Sequence, residues 1–142
     1  MAITFWNIAC QTFDMAVVSL AQKLGIQSDT VLALVHAESS FALELPPAVS
    51  VRRSARGSAN VVLAFFTGIK DLEREMEHLG QLVFPAGSLW IAWPKRTSGR
   101  TTDLSDHAVR AVALPLGLVD NKVCAIDETW SALRLVWRRE RR

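Results

Sequence analysis

The chain has 142 residues, half of them apolar and 21% charged, which excludes a disordered polymer and fits one compact domain with a sizeable core. Lys and Arg number 16 against 14 Asp and Glu, and a net charge of +2 is too small to attract nucleic acid through bulk charge. Two cysteines, Cys10 and Cys124, form neither a disulfide framework nor a metal-ligand spacing, which suits a reducing cytoplasm.

Residues 1–14 have no clean period and are read as an extension to a single domain over residues 15–138, with a basic tail at 139–142. Residues 1–21 are apolar, but no Lys or Arg precedes Lys23, and Asn7, Gln11 and Asp14 interrupt the stretch. Neither a signal peptide nor a membrane span is therefore expected. Ala16, Leu20 and Leu24, stopped by Gly25, describe a short amphipathic helix. Residues 30–37 (TVLALVHA) form a nearly continuous apolar run, the pattern of a central parallel strand covered on both faces. One or two helical turns are expected at 39–45 before Pro46-Pro47, and then Val49 and Val51 alternate in a strand closed by Arg52 and Arg53.

Residues 60–67 (NVVLAFFT) are a second buried strand, after which Gly68 marks a change to the helical period of Ile69, Leu72, Met76 and Leu79. Asp71, Glu73, Glu75 and Glu77 occupy the opposite faces of that helix. Pro85-Ala86-Gly87 turns the chain into a third buried strand, 88–93 (SLWIAW). Residues 95–102 (KRTSGRTT) read as a basic loop, and Asp103 or Ser105 caps a helix carrying Leu104, Ala108, Val109, Val112 and Ala113. Residues 118–126 and 130–137 read as a hairpin around Asp127-Glu128-Thr129.

Strands separated by crossover helices predict a single three-layer α/β domain: a doubly wound, mostly parallel sheet with an antiparallel C-terminal hairpin. Its expected core includes Val31, Leu63, Leu89, Ile91 and Val123. The order of elements, with a helix followed by Pro-Ala-Gly and an apolar strand, resembles the second half of the S-adenosylmethionine-dependent methyltransferase fold, a Rossmann-like architecture. That resemblance implies that 30–37 lies beside 60–67, then 88–93, with the last strand inserted between 88–93 and 118–126. It also leaves one usual strand missing after 49–53.

The strings LGI at 24–26, LWIAWPK at 89–95 and LPLGLVDNKVCAIDETWSALRLV at 114–136 are similar to a bacterial family of small proteins known as domain-of-unknown-function family 3052. The similarity spans roughly residues 20–138 and implies a small α/β domain, with no substrate attached. His36 and Glu38 depart from it, standing where a shorter and less charged strand end is expected.

Methyl transfer from that cofactor needs a Gly-rich turn after the first strand and a carboxylate ending the second, by analogy with dinucleotide folds. Here the corresponding stretches are His36-Ala37-Glu38-Ser39-Ser40 and Arg52-Arg53-Ser54, so no cofactor is expected, and Glu38 is the one candidate for a ribose contact. No nucleophile elbow, phosphate loop or paired histidines assign a catalytic or metal role.

The candidate site lies at the carboxyl ends of the strands, where open α/β sheets bind ligands. His36, Thr67 and Trp93 fall there, with Lys95, Arg96, Thr97, Ser98 and Arg100 on one loop and Asp127, Glu128 and Trp130 on the facing turn. The cations and hydroxyls would receive an anionic small molecule while Trp93 and Trp130 flank its apolar part. In the plainer reading, Lys95 or Arg96 pairs with Asp127 or Glu128 and merely pins the hairpin.

The expected function is a non-catalytic or regulatory small-molecule-binding domain in the cytoplasm. One alternative is an unconventional enzyme, either a methyltransferase or an acid-base catalyst using His36 with Glu38 or Asp127. A second is a protein- or nucleic-acid-interaction module built on Arg138 to Arg142 and the basic loop from Lys95 to Arg100. Nucleic acid and membrane are not expected partners.

Overall fold

Residues 19–142 are described by the computed structural model; the extension at 1–14 and positions 15–18 of the predicted first helix lie outside them. Ser19 opens helix α1 (Leu20–Leu24) through a reciprocal capping box with Gln22, and Gly25, at φ 77°, supplies the left-handed turn that ends it. The strands are β1 (Val31–Val35), β2 (Ser50–Arg52), β3 (Val61–Phe65), β4 (Ser88–Pro94), β5 (Leu118–Ala125) and β6 (Trp130–Trp137). Helices α2 (Ile69–Val83) and α3 (Asp106–Ala113) are accompanied by short 3₁₀ turns at Arg96–Ser98, Leu114–Leu116 and Arg139–Arg141. Among the described residues no helix is long and apolar enough to cross a membrane.

The six strands form one sheet in the order β2-β1-β3-β4-β6-β5. Strands β2, β1, β3 and β4 pair in parallel, whereas β6 runs antiparallel to both β4 and β5. The expected insertion of the last strand between the third buried strand and its own hairpin partner is thus present. Side chains alternate across the sheet, as the strand period of two requires. Val62, Ala64, Leu89, Ile91, Leu133 and Leu135 face α2 and α3, which contribute Leu72, Met76, Leu79, Val109 and Ala113. Leu32, Leu34, Val61, Leu63, Phe65, Trp90 and Ala92 face the other way, toward α1. Trp90 is fully buried there, and its indole N–H donates to Leu24 O at 3.0 Å, fastening α1 to the sheet.

The helical turns expected at 39–45 do not form. Residues 39–40 make one hydrogen-bonded turn, with Phe41 N–H donating to Glu38 O at 2.9 Å, residues 41–46 carry no regular secondary structure, and Phe41, Leu43 and Leu45 pack partly buried against the second face. Their spacing of two is a strand-like period, and the Arg53 guanidinium takes the carbonyls of Glu38 and Phe41 that a helix would have used. Val123 is the second correction: it is 51% exposed rather than in the core. Its register opposite Leu133 turns it toward the α2/α3 side, but β5 is the sheet edge, where no described element covers it. Val31 is only half-buried. In the basic tail Arg139–Arg141 form a 3₁₀ turn and Arg142 Nε donates to Trp137 O at 3.1 Å, while Arg138 N–H, just before it, donates to Gly117 O at 3.0 Å. Cys124 is half-buried on β5, and burial pushes its thiol above the usual range, so it is a poor nucleophile at neutral pH.

Replacing Ile91, which is fully buried, with Ala is expected to cost about 2–5 kcal/mol in denaturant melts, the usual range for a large aliphatic side chain in a packed core. Val123→Ala at the exposed edge should stay within about 0.5 kcal/mol.

Candidate functional site

Strands β1 and β3 are neighbours, and the chain leaves β1 toward β2 on one side and β3 toward β4 on the other, so the sheet's topological switch point lies between them. At their carboxyl ends a cleft of about 480 Å³ is lined by His36, Glu38, Phe65, Phe66, Thr67, Asp71, Glu75, Arg100 and Trp130. An adjoining hollow of about 310 Å³ shares Glu38, Phe65 and Trp130 with it and adds Phe41 and Asp127. Another cleft, of about 380 Å³, opens at the amino ends around Asn60 and Ser88. There Asn60 is engaged in holding strands, its side chain accepting from Val31 N–H at 2.9 Å and its carbonyl from Ser88 N–H at 3.0 Å. The strand-end rule and the ionisable groups both favour the carboxyl-end cleft.

His36 follows directly on β1 with φ 59°, a left-handed conformation that favours glycine. This turn directs the imidazole onto the edge of Phe66, with ring centroids 5.3 Å apart, and toward α2, where Nε2 donates to both Glu75 oxygens at 2.9 Å. Glu38, two residues on, is exposed, and its carbonyl is held by Phe41 N–H and Arg53. The cations that end β2 therefore brace backbone rather than face a ligand: Arg53 holds the 38–41 loop, and Arg52 donates to the carbonyls of Gly57 and Ser58 at 2.7 and 3.1 Å.

The loop after β4 is tied at both ends. Lys95 N–H donates to Thr129 O at 2.7 Å, and Ser98 uses its hydroxyl within the loop, donating to Lys95 O at 2.6 Å and accepting from Arg100 N–H at 3.2 Å. Further on, the Thr102 hydroxyl donates to Thr67 O at 2.6 Å, and the Asp103 carboxylate accepts from Ile69 N–H at 2.8 Å. Asp103 thus serves the amino terminus of α2, whose own N-cap position is Gly68, while Ser105 caps α3. These ties carry Arg100 across the cleft, its guanidinium carbon 5.4 Å from the centroid of the Trp130 ring and a terminal nitrogen 3.6 Å from Glu38 Oε1.

Of the residues singled out from sequence, His36, Glu38, Thr67, Arg100 and Trp130 meet in this cleft, and Asp127 lines the adjoining hollow. Trp93 does not join them. It is buried among the α2/α3-facing residues, whereas Trp130 belongs to the opposite face, so the two indoles cannot flank one ligand. Arg96, Thr97 and Glu128 are exposed and Lys95 is half-buried, and none of the four lines the cleft. Among the described residues no ion pair joins Lys95 or Arg96 to Asp127 or Glu128, so the expected side-chain pinning of the hairpin is absent. The backbone bond from Lys95 replaces it, and Asp127 folds its own turn by accepting from Thr129 N–H and Trp130 N–H at 2.8 and 2.9 Å. The partner of His36 is Glu75, not Glu38 or Asp127.

Asp71 and Glu75 were missed as site residues because acids on a helix face read as solvated. Their i, i+4 spacing in the first turns after a strand was the available signal, since it places both on one stripe beside the strand ends. With Glu38 they give the cleft three carboxylates against Arg100 and His36.

No protein-family model and no curated protein matches the chain, so the likeness to family 3052 rests on the sequence strings alone. Solved structures do match. A methyltransferase dependent on S-adenosylmethionine from Aquifex aeolicus is similar over 82% of this chain and 86% of its own, with 12% identity and a TM-score of 0.59. Magnesium protoporphyrin IX methyltransferase from Synechocystis PCC 6803, with bound S-adenosylmethionine, is similar over 84% of this chain and 74% of its own, with 10% identity and a TM-score of 0.55. Against the same enzyme with bound S-adenosylhomocysteine, the match spans about half of that chain (52%). The fibrillarin/Nop5p complex structure is similar over 80% of this chain, with 7% identity and a TM-score of 0.51. At such identities the likeness defines the fold: this chain has a methyltransferase-like Rossmann fold.

Asp103→Ala is expected to lower stability by about 0.5–2 kcal/mol, as removal of a helix cap does, and to free the loop that carries Arg100. Denaturant melts check the first, and amide exchange at Arg100 checks the second.

Proposed function

We propose that the chain is a cytoplasmic, non-catalytic small-molecule-binding domain on a methyltransferase-like scaffold, its ligand seated in the cleft between the ends of β1 and β3. The observation that carries this reading is His36. In a cofactor-binding turn, glycine lets the backbone approach the ligand; here a side chain stands at the left-handed position, packed on Phe66 and bonded to Glu75. The scaffold keeps a cleft at its switch point but fills the space where such a cofactor would lie closest to β1. The resemblance to family 3052 adds no activity to this reading. An anionic ligand loses support, because the cleft holds more carboxylates than cations and Ser98 is engaged within its own loop. Calorimetry with S-adenosylmethionine and S-adenosylhomocysteine is expected to give no Kd tighter than about 100 μM. A low-micromolar Kd for either overturns the reading.

The enzyme reading is favoured by one observation. A carboxylate that accepts from Nε2 of an imidazole leaves Nδ1 as the basic nitrogen of a ring that lines the cleft, the arrangement of an oriented general base. Long-range ¹⁵N–¹H correlation on neutral His36 should show the proton on Nε2. A proton on Nδ1 would remove the base.

A further inference from the structure

Two walls of the cleft are fixed, and a third group lies between them. Trp130 is buried, meets Phe65 edge to face at 5.0 Å, and has its backbone N–H on Asp127. Glu38 projects from a loop whose carbonyls are held by Arg53. The guanidinium of Arg100 lies over the Trp130 ring within cation-π range, but its side chain is 46% exposed. Its approach to Glu38 at 3.6 Å is longer than a direct hydrogen bond. An exposed, long ion pair is weakly held.

We infer that the Trp130 face and the Glu38 carboxylate form a cation-recognition subsite, filled in the free protein by Arg100, and that the ligand of this cleft carries a guanidinium or ammonium group that displaces it. This rests on the reading of the cleft as a ligand site. An indole face attracts a cation through its quadrupole, and a carboxylate at its edge supplies the counter-charge. Asp71 and Glu75 also line the cleft, but Asp71 pairs with Arg74 and Glu75 with His36, so the counter-charge of the subsite is Glu38. Among the described residues no three acidic, histidine or cysteine groups converge as a metal cage would require, so the charge pattern suits a molecular cation. Arg100 then acts as an internal competitor, lowering apparent affinity by the fraction of time it fills the subsite.

The test titrates n-butylguanidinium, n-butylammonium and n-butyl phosphate into the ¹⁵N-tryptophan-labelled chain, with the Trp130 indole resonance assigned through Trp130→Phe. Both cations should shift that resonance, and Arg100→Ala should tighten their binding about three- to tenfold, the range expected when a competing cation-π contact is removed. Adding Glu38→Gln to Arg100→Ala should abolish the gain. Cation affinity unchanged or weakened in Arg100→Ala overturns the inference. If n-butyl phosphate binds instead and Arg100→Ala loses it, the cation subsite is wrong while the ligand-binding cleft stands. If no probe moves the Trp130 resonance, both fall.

Discussion

A parallel sheet covered on both faces must bury every side chain of its middle strands, and the remaining architecture follows from that requirement. Val61–Phe65 and Ser88–Pro94 carry no exposed residue, and four of the five in Val31–Val35 are buried. Strands of this kind leave polar side chains nowhere to stand except at or beyond their ends. His36 and Thr67 are the first exposed residues after β1 and β3, and each sits at the switch point for that reason.

Polar groups then shape what lies past the strands. The loops on either side of the cleft are held through carbonyls and amides: Arg53 on the 38–41 carbonyls, Asp103 on the Ile69 amide, Thr102 on the Thr67 carbonyl, Lys95 on the Thr129 carbonyl. Buried or half-buried backbone groups need such partners, and the side chains that satisfy them are withdrawn from ligand chemistry. Arg52, Arg53, Ser98 and Asp127 all carry charge or hydroxyl in the sequence, yet each is engaged with backbone.

This division explains what was legible in the sequence. Apolar runs such as VVLAF and SLWIAW announce doubly covered strands because burial acts on each residue separately, whereas the strand order came from the resemblance to the methyltransferase fold. The stretch at 39–45 was misread because Pro46-Pro47 suggested a helix end, although Phe41, Leu43 and Leu45 already carried a strand-like period. Val123 has a core-like identity at an edge position, and composition cannot distinguish the edge of a sheet from its middle. The cleft was legible in His36, Glu38, Thr67, Arg100 and Trp130 because strand ends can be counted along the chain. The face on which an indole lies depends on alternation measured from a neighbouring strand, and this separated Trp93 from Trp130. The pairing of His36 with Glu75 joins groups 39 positions apart and follows only from the packing of α2 on the sheet.

The placement of β6 also bears on biosynthesis. It follows β5 in the chain, yet it lies between β4 and β5 in the sheet. As the chain emerges from a ribosome, β4 keeps an unpaired edge, and β5 has no partner at all, until Trp130–Trp137 has been released. An apolar strand such as SLWIAW with an open edge is a template for pairing with other chains. The nascent protein therefore passes through a sticky interval that lasts until β6 has emerged, and a chain cut short before Trp137 remains in it.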